Sequence, residues 1–203
     1  MINPVYKITI DDLIIRCYEP EDAVEFKKAI DSSLKHLHKY MEWSHSDPEP
    51  LSEKISLLKK WKSDFINNID YTYAVFKGEK MIASSGFHKS LENHNSLEIG
   101  YWVRADEINK GVATKVSCAL IIAAFEIINA EKVEIHYEID NIFSAKIPKR
   151  LKLKQEKNYF HETRGENCRW FIDKNIYDNN LIFYKTLYNE IAFFNVNNKQ
   201  ISK

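Results

Sequence analysis

The chain predicts an α+β fold: a mixed, mostly antiparallel sheet of about seven strands flanked by helices. Three features of the 203-residue sequence carry this. Two stretches with helical spacing of apolar residues come first, and three strands then follow one another across short polar turns. Finally, a long apolar helix joins a fourth strand to a fifth, a connection that suits parallel neighbours.

"LIIRCYEP" reads as the first strand, and Pro20 opens "EDAVEFKKAIDSSLKHL", where Ala23, Phe26, Ala29 and Ile30 recur at helical spacing. Beyond a loop holding Trp43 and two prolines, Ser52 is placed to cap a second helix with Ile55, Leu58, Trp61 and Phe65 inward, ending near Asn67 and Asn68. "YTYAVFK", "GE" and "KMIASSGFH" form a hairpin, and Asn93 to Asn95 turn the chain into the fourth strand, Ser96 to Val103. Val112 to Asn129 is the long helix, "KVEIHYEID" the fifth strand, and Ile142 to Leu151 a short helix. Pro148 cannot donate to the carbonyl of Ser144, so that helix is expected to kink. The last two strands are expected near Gln155 to Thr163 and Leu181 to Leu187. Residues 1–194 read as one domain, and 195–203 as a polar tail that frays.

Hydrophobic residues make up 44% of the chain, enough for a sizeable core. Twenty-nine basic residues balance 29 acidic ones, so no global field favours nucleic acid or an anionic membrane as a partner. Cys17, Cys118 and Cys168 are far apart and form no C-x-x-C pair, which argues against a disulfide framework or zinc knuckle and suits a reducing, cytoplasmic setting. The most apolar run, Cys118 to Ile128, is interrupted by Glu126 and is too short to span a bilayer.

Along the fourth strand, Leu97, Ile99, Tyr101 and Val103 share one face, and Glu98, Gly100 and Trp102 the other. Gly100 leaves a gap beside the Glu98 carboxylate, although the pattern alone is that of a glycine bulge next to a solvated glutamate. At the start of the long helix, Asn109, Lys110, Gly111, Val112, Ala113 and Thr114 present unpaired N–H groups and the positive helix end, a place for a diphosphate. Neither a Walker loop nor G-x-G-x-x-G is present. After the fifth strand, Asn141 is placed to cap the short helix, with Ser144 in its first turn. The two helix starts then border one crevice at the C-terminal ends of neighbouring strands.

"LHKYMEW", "LEIGYWV", "NKGVAT" and "DNIFSAKIPKRL", in this order and spacing, resemble the GNAT acetyltransferase superfamily, and within it the RimJ/RimL branch of ribosomal-protein N-terminal acetyltransferases. The resemblance implies a GNAT fold whose fourth and fifth strands splay, with acetyl coenzyme A between them. Pantetheine would pair with the backbone at Tyr101, Trp102 and Val103, the diphosphate would rest on Asn109 to Thr114, and Asn141 would border the slot. Tyr40, Trp43 and Gly100 would line the acceptor groove, with Asp47 and Glu49 attracting a cationic amine. Glu98 would act as base through a water, amides beside Gly100 would polarise the acetyl oxygen, and Ser144 would hydrogen-bond the departing sulfur, because the tyrosine many members carry is here Pro148. The chain departs from the family at Ile108, where Arg or Gln is usual, and at Lys152, often glycine.

Acetyl transfer needs a neutral amine. An α-amino group has a pKa of about 7.7–8.0 against about 10.4 for lysine, so a protein N-terminus is the expected acceptor, attacked directly in a ternary complex. A polyamine or aminoglycoside is the alternative acceptor, and an acyl-coenzyme-A-binding domain without turnover the alternative class. No metal is expected: His36, His38 and His45 lack acidic or cysteine partners at ligand spacing. His136 shares a face with Glu134 and Glu138 as a secondary candidate base. The oligomeric expectation is a monomer or homodimer.

Overall fold

Alternating apolar residues begin the fold earlier than expected. The computed structural model describes residues 5–89, 95–163 and 165–202. In it β1 (Lys7–Ile10) and β2 (Leu13–Cys17) make an antiparallel hairpin that buries Ile8, Ile10, Leu13, Ile15 and Cys17. This added first strand makes the anticipated fourth and fifth strands the fifth and sixth. Then come α1 (Ala23–Asp31), the one-turn α2 (Leu34–Leu37) and α3 (Leu51–Ile66). Ala23, Phe26, Ala29 and Ile30 are the buried side of α1, as their spacing requires. α3 begins one residue before Ser52, with Pro50 at its N-cap, so Ser52 does not cap it.

β3 (Tyr71–Lys77), β4 (Lys80–Lys89) and β5 (Ser96–Val103) are antiparallel neighbours. The turn expected at Asn93 to Asn95 lies, except for Asn95, outside the described residues. α4 (Val112–Ala123) continues as a π-helical turn to Ile128 and ends on Asn129 in the left-handed conformation. β6 (Lys132–Glu138) then runs parallel to β5.

The C-terminal third departs most from expectation. α5 covers only Lys146–Arg150, the preceding residues forming turns, so the break falls before Lys146. Pro148 thereby occupies the first helical turn, where its missing N–H is tolerated. Two short strands, β7 (Lys154–Gln155) and β8 (Tyr159–His161), stand where one was expected, and both pair with β9 (Gly165–Asp173), a strand not anticipated. α6 (Lys174–Asn179) follows. Leu181 to Leu187, expected as a strand, contains α7 (Leu181–Lys185): Tyr177, Leu181, Tyr184 and Tyr188 recur every three or four residues, a helical period that the aromatic composition concealed. Tyr184 is buried and donates to Leu151 C=O at 2.6 Å. The tail expected to fray folds back, with β11 (Gln200–Ile201) pairing β10 (Ile191–Phe194).

Eleven strands among the described residues, rather than seven, form one mixed sheet in the order β11-β10-β1-β2-β3-β4-β5-β6-β9-β7, with β8 also on β9. Alternation along β3 and β5 divides the core. Val75, Ile99 and Val103 join Val116 and Leu120 of α4 on one face, while Ala74, Phe76 and Trp102 join Phe26 and Leu58 of α1 and α3 on the other. Lys152, at the position where glycine is frequent in the family it resembles, has φ +62° just past the C-cap Leu151 of α5, a place that favours glycine for its left-handed backbone.

A buried ion pair fixes the loop after α2. Lys54 is 2% exposed, its Nζ 2.6 Å from Asp47 Oδ1 and 2.8 Å from Glu49 Oε2, over the Phe26 ring. Removing the cation leaves the Asp47 carboxylate buried alone. Lys54→Met should therefore lower unfolding stability in urea by about 3–5 kcal/mol, and adding Asp47→Leu should recover most of it.

Candidate active site

β5 and β6 pair at three positions, Ser96 with Lys132, Leu97 with Val133 and Glu98 with Glu134, and then part. From Ile99 to Val103, β5 keeps its β4 partners and loses β6; from Ile135 to Glu138, β6 keeps only β9. The sheet is thus split on the side where α4 begins. The space between is a cleft of about 280 Å³. Tyr101, Trp102 and Val103 line it from β5, Asn141, Phe143, Ser144 and Ile147 from the segment after β6, Asn109 and Gly111 to Thr114 from the head of α4, and His36, Tyr40 and Met41 from in and after α2.

At the head of α4 Gly111 takes φ +80° and Asn109 φ +62°, a reversal that side chains resist and that points the chain into α4. No backbone N–H from Asn109 to Thr114 has a partner among the described residues; the first helical bond runs from Lys115 N–H to Gly111 C=O at 3.0 Å. These donors and the helix dipole favour an anion. The cation that Ile108 lacks comes from elsewhere: Arg150 of α5 lines the cleft and donates to Thr114 Oγ1 at 3.3 Å. Lys110 is not on the wall; it pairs with Glu107 at 3.1 Å.

Mid-cleft, Asn141 is buried and its Oδ1 accepts from the Ser144 N–H at 3.1 Å, so it caps a turn rather than the helix proper. The Ser144 hydroxyl is within hydrogen-bonding reach of the Tyr101 phenol, on which it acts to lower the pKa. The Tyr101 hydroxyl crosses the cleft to donate a long bond, 3.5 Å, to Ser144 C=O, and burial pushes that phenol well above its ordinary range. Tyr40 is on the lining, 6.0 Å from the His36 ring. Trp43 is not: it is 45% exposed and packs on Trp102 at 6.1 Å.

Glu98 is off the cleft wall, at the crotch of the split. The space expected over Gly100 is taken: a Cβ there would meet His88 Nε2 at 3.2 Å, which corrects the reading of Gly100 as an opening for ligand. Asp70 Oδ1 lies 2.8 Å from His88 Nδ1. On the β6 side, His136 Nδ1 is 3.4 Å from Glu98 Oε2 and its Nε2 is 3.2 Å from Glu134 Oε2, while Glu134 also meets Lys132 at 2.6 Å. Burial alone would raise the Glu134 pKa, but the hydrogen bonds from His136 and Lys132 prevail and hold it at about 2.

Two further expectations change. Asp47 and Glu49 are engaged by Lys54 and do not offer the groove a free acidic wall. His38 and His45 stack on each other at 4.9 Å, with His38 Nε2 3.0 Å from Ser44 C=O, and no group of three metal-ligating residues occurs among the described residues. Arg150 and His88 went unread in the sequence. "KIPKR" after the capping Asn141 hinted at the first, whereas nothing local links Asp70 to His88.

A family model described as an acetyltransferase (GNAT) domain matches residues 12–154. The chain belongs to the GNAT acetyltransferase family. The enzyme is 21% identical over 146 residues to the Bacillus subtilis (strain 168) protein named "Putative ribosomal N-acetyltransferase YdaF", covering 72% of this chain and 80% of that one. Its fold is shared with RimL, a ribosomal L7/L12 alpha-N-protein acetyltransferase solved with coenzyme A, at TM-score 0.73 and 15% identity over 85% of this chain and 98% of that one. The microcin C7 self-immunity acetyltransferase MccE, solved with acetyl-CoA and AMP, is equally similar in fold, at TM-score 0.73 and 18% identity over 80% of this chain and 93% of that one. These establish the mixed-sheet GNAT architecture, and no helix among the described residues is long and apolar enough to cross a membrane.

The charge row beside the split makes GNAT stability pH-dependent. A carboxylate held at about 2, below the ordinary 4.5, contributes stability that is present above pH 4.5 and lost as pH falls through 2, on the order of 3 kcal/mol. Glu134→Gln should flatten that part of the acid-unfolding curve, as measured by circular dichroism in urea at pH 2 to 6.

Proposed function

We propose that the enzyme transfers an acetyl group from acetyl coenzyme A to the α-amine of a protein or peptide N-terminus. The observation that carries this is the unpaired edge of β5 beside six unengaged backbone N–H groups, Asn109 to Thr114, at the head of α4. The free edge suits the amides of pantetheine, running past Tyr101, Trp102 and Val103, and the N–H cluster suits a diphosphate, with Arg150 adding charge.

In this reading the amine enters past His36, Tyr40 and Met41, and the carboxylate of Glu98 at the crotch takes its proton through an ordered water. Nitrogen bonds to the thioester carbonyl, the C–S bond breaks, and the Ser144 hydroxyl, beside the Tyr101 phenol, donates to the departing sulfur. An α-amine with a pKa near 8 needs about two to three pH units less help than a lysine, which fits one modest carboxylate. The engagement of Asp47 and Glu49 by Lys54 removes the acidic wall that a polycationic small amine would use. We assign the chain to one domain, which β11 carries past residue 194 to Ile201, and the enzyme to the reducing cytoplasm, where buried, free Cys17, Cys118 and Cys168 remain thiols.

Thiol release is the test. A ribosomal-protein N-terminal peptide should be turned over faster than spermidine or an aminoglycoside; turnover of the small amines alone would remove the peptide reading, and calorimetric binding of acetyl coenzyme A with no turnover of any amine would leave a binding domain. Glu98→Gln should lower kcat about 10²-fold or more with acetyl coenzyme A affinity unchanged. Gly111→Val, forced to φ +80°, should weaken that affinity about tenfold or more by calorimetry.

A further inference from the structure

We propose that Asp70 and His88 form the exit for the acceptor's proton: His88 receives it from Glu98 and passes it to solvent. The inference rests on the acetyltransferase reading above and adds two residues to it.

His88 and Glu98 are direct partners across the β4–β5 ladder, so their side chains stand together on one face of the sheet. Gly100, the next residue on that face, has no side chain, and the His88 ring fills the space, with Nε2 3.2 Å from where a Cβ would be. Asp70 accepts from His88 Nδ1–H at 2.8 Å and itself accepts from Thr72 Oγ1 at 3.2 Å. With that tautomer fixed, the lone pair of Nε2 lies on the Gly100 side. The Asp70 bond, together with the Glu98 charge, raises the readiness of His88 to hold a proton.

The other imidazole near Glu98 is a poorer outlet. His136 is 7% exposed and enclosed, Nδ1 between Glu98 Oε2 at 3.4 Å and Tyr159 Oη at 3.2 Å, Nε2 against Glu134 Oε2. The His88 side chain is 46% exposed. The groups facing His88 are Asp70 from the turn before β3 and Glu98 from β5, with His136 and Glu134 of β6 and Tyr159 of β8 beyond Glu98.

The balance is simple. One ammonium proton passes to Glu98 and then to His88 Nε2, and the resulting imidazolium returns it to water. As the N–C bond forms and the C–S bond breaks, a second amine proton ends on the thiol of coenzyme A.

Two measurements decide it. In thiol-release kinetics with the best amine of the panel, His88→Gln should lower kcat/KM about tenfold or more while calorimetric affinity for acetyl coenzyme A stays the same. The wild-type rate should fall toward acid as His88 becomes protonated; Asp70→Asn should move that limb to lower pH, and Gly100→Ala should imitate His88→Gln by displacing the ring. An unchanged rate and pH profile in His88→Gln overturns the relay while leaving acetyl transfer intact. If the wild type turns over no amine, the transferase reading fails, and NMR still judges the pair: the His88 titration should shift to lower pH in Glu98→Gln and in Asp70→Asn, and a His88 resonance blind to Glu98 overturns the coupling.

Discussion

Three residue pairs hold β5 to β6, and everything distinctive about the site follows from there being no fourth. A parallel pair is joined by a crossover helix, and α4 lies on the sheet over β4 and β5, with Val116 and Leu120 in the core. The strands cannot drift apart at their paired ends, yet nothing zips them beyond Glu98 and Glu134. Unsatisfied backbone groups on a strand edge are costly unless water or a ligand meets them. Here they open on a cleft, so the cost becomes a binding capacity.

Two parts of that cleft's lining are built by different physics. At the head of α4 the chain reverses through left-handed Asn109 and Gly111, which leaves a cluster of N–H donors without acceptors among the described residues. That part is electrostatic and needs no side chain except Arg150. The other part is made by Tyr40, Met41 and His36, on a segment with little regular structure of its own. Its position depends on Lys54, whose buried ion pair with Asp47 fastens the loop to α3. The acidic residues that composition suggests for recruiting an amine are spent on this fastening.

At the crotch, the sheet brings together groups distant in the chain. Asp70, His88, Glu98, His136 and Glu134 come from four segments, and β4, β5 and β6 set their residues in one row because successive side chains alternate between faces. Imidazoles alternate with carboxylates along it, and Lys132 meets the last of them at Glu134.

The α+β class, the buried face of α1, the β3–β4 hairpin and the start of α4 at Val112 were legible in the sequence, because each rests on local periodicity or on backbone chemistry within a few residues, whereas the splay of two neighbouring strands was implied by the resemblance of the motifs to the GNAT family. So were Gly111, Asn141 and Ser144 as members of one crevice. The tertiary structure decided the rest. Leu181 to Lys185 is a helix because Tyr184 must reach Leu151, thirty-three residues earlier. β9 is a strand because β6, about thirty residues earlier, pairs along its length, and the tail is a strand because it folds back on β10, which β1 holds from the far end of the chain. Only the fold could place His88 over Gly100, lock Asp47 under Lys54 and bring Arg150 to Thr114. Local sequence sets what a segment prefers, but which charge meets which is settled by strand register and helix docking, and those energies belong to pairs that sequence alone does not bring together.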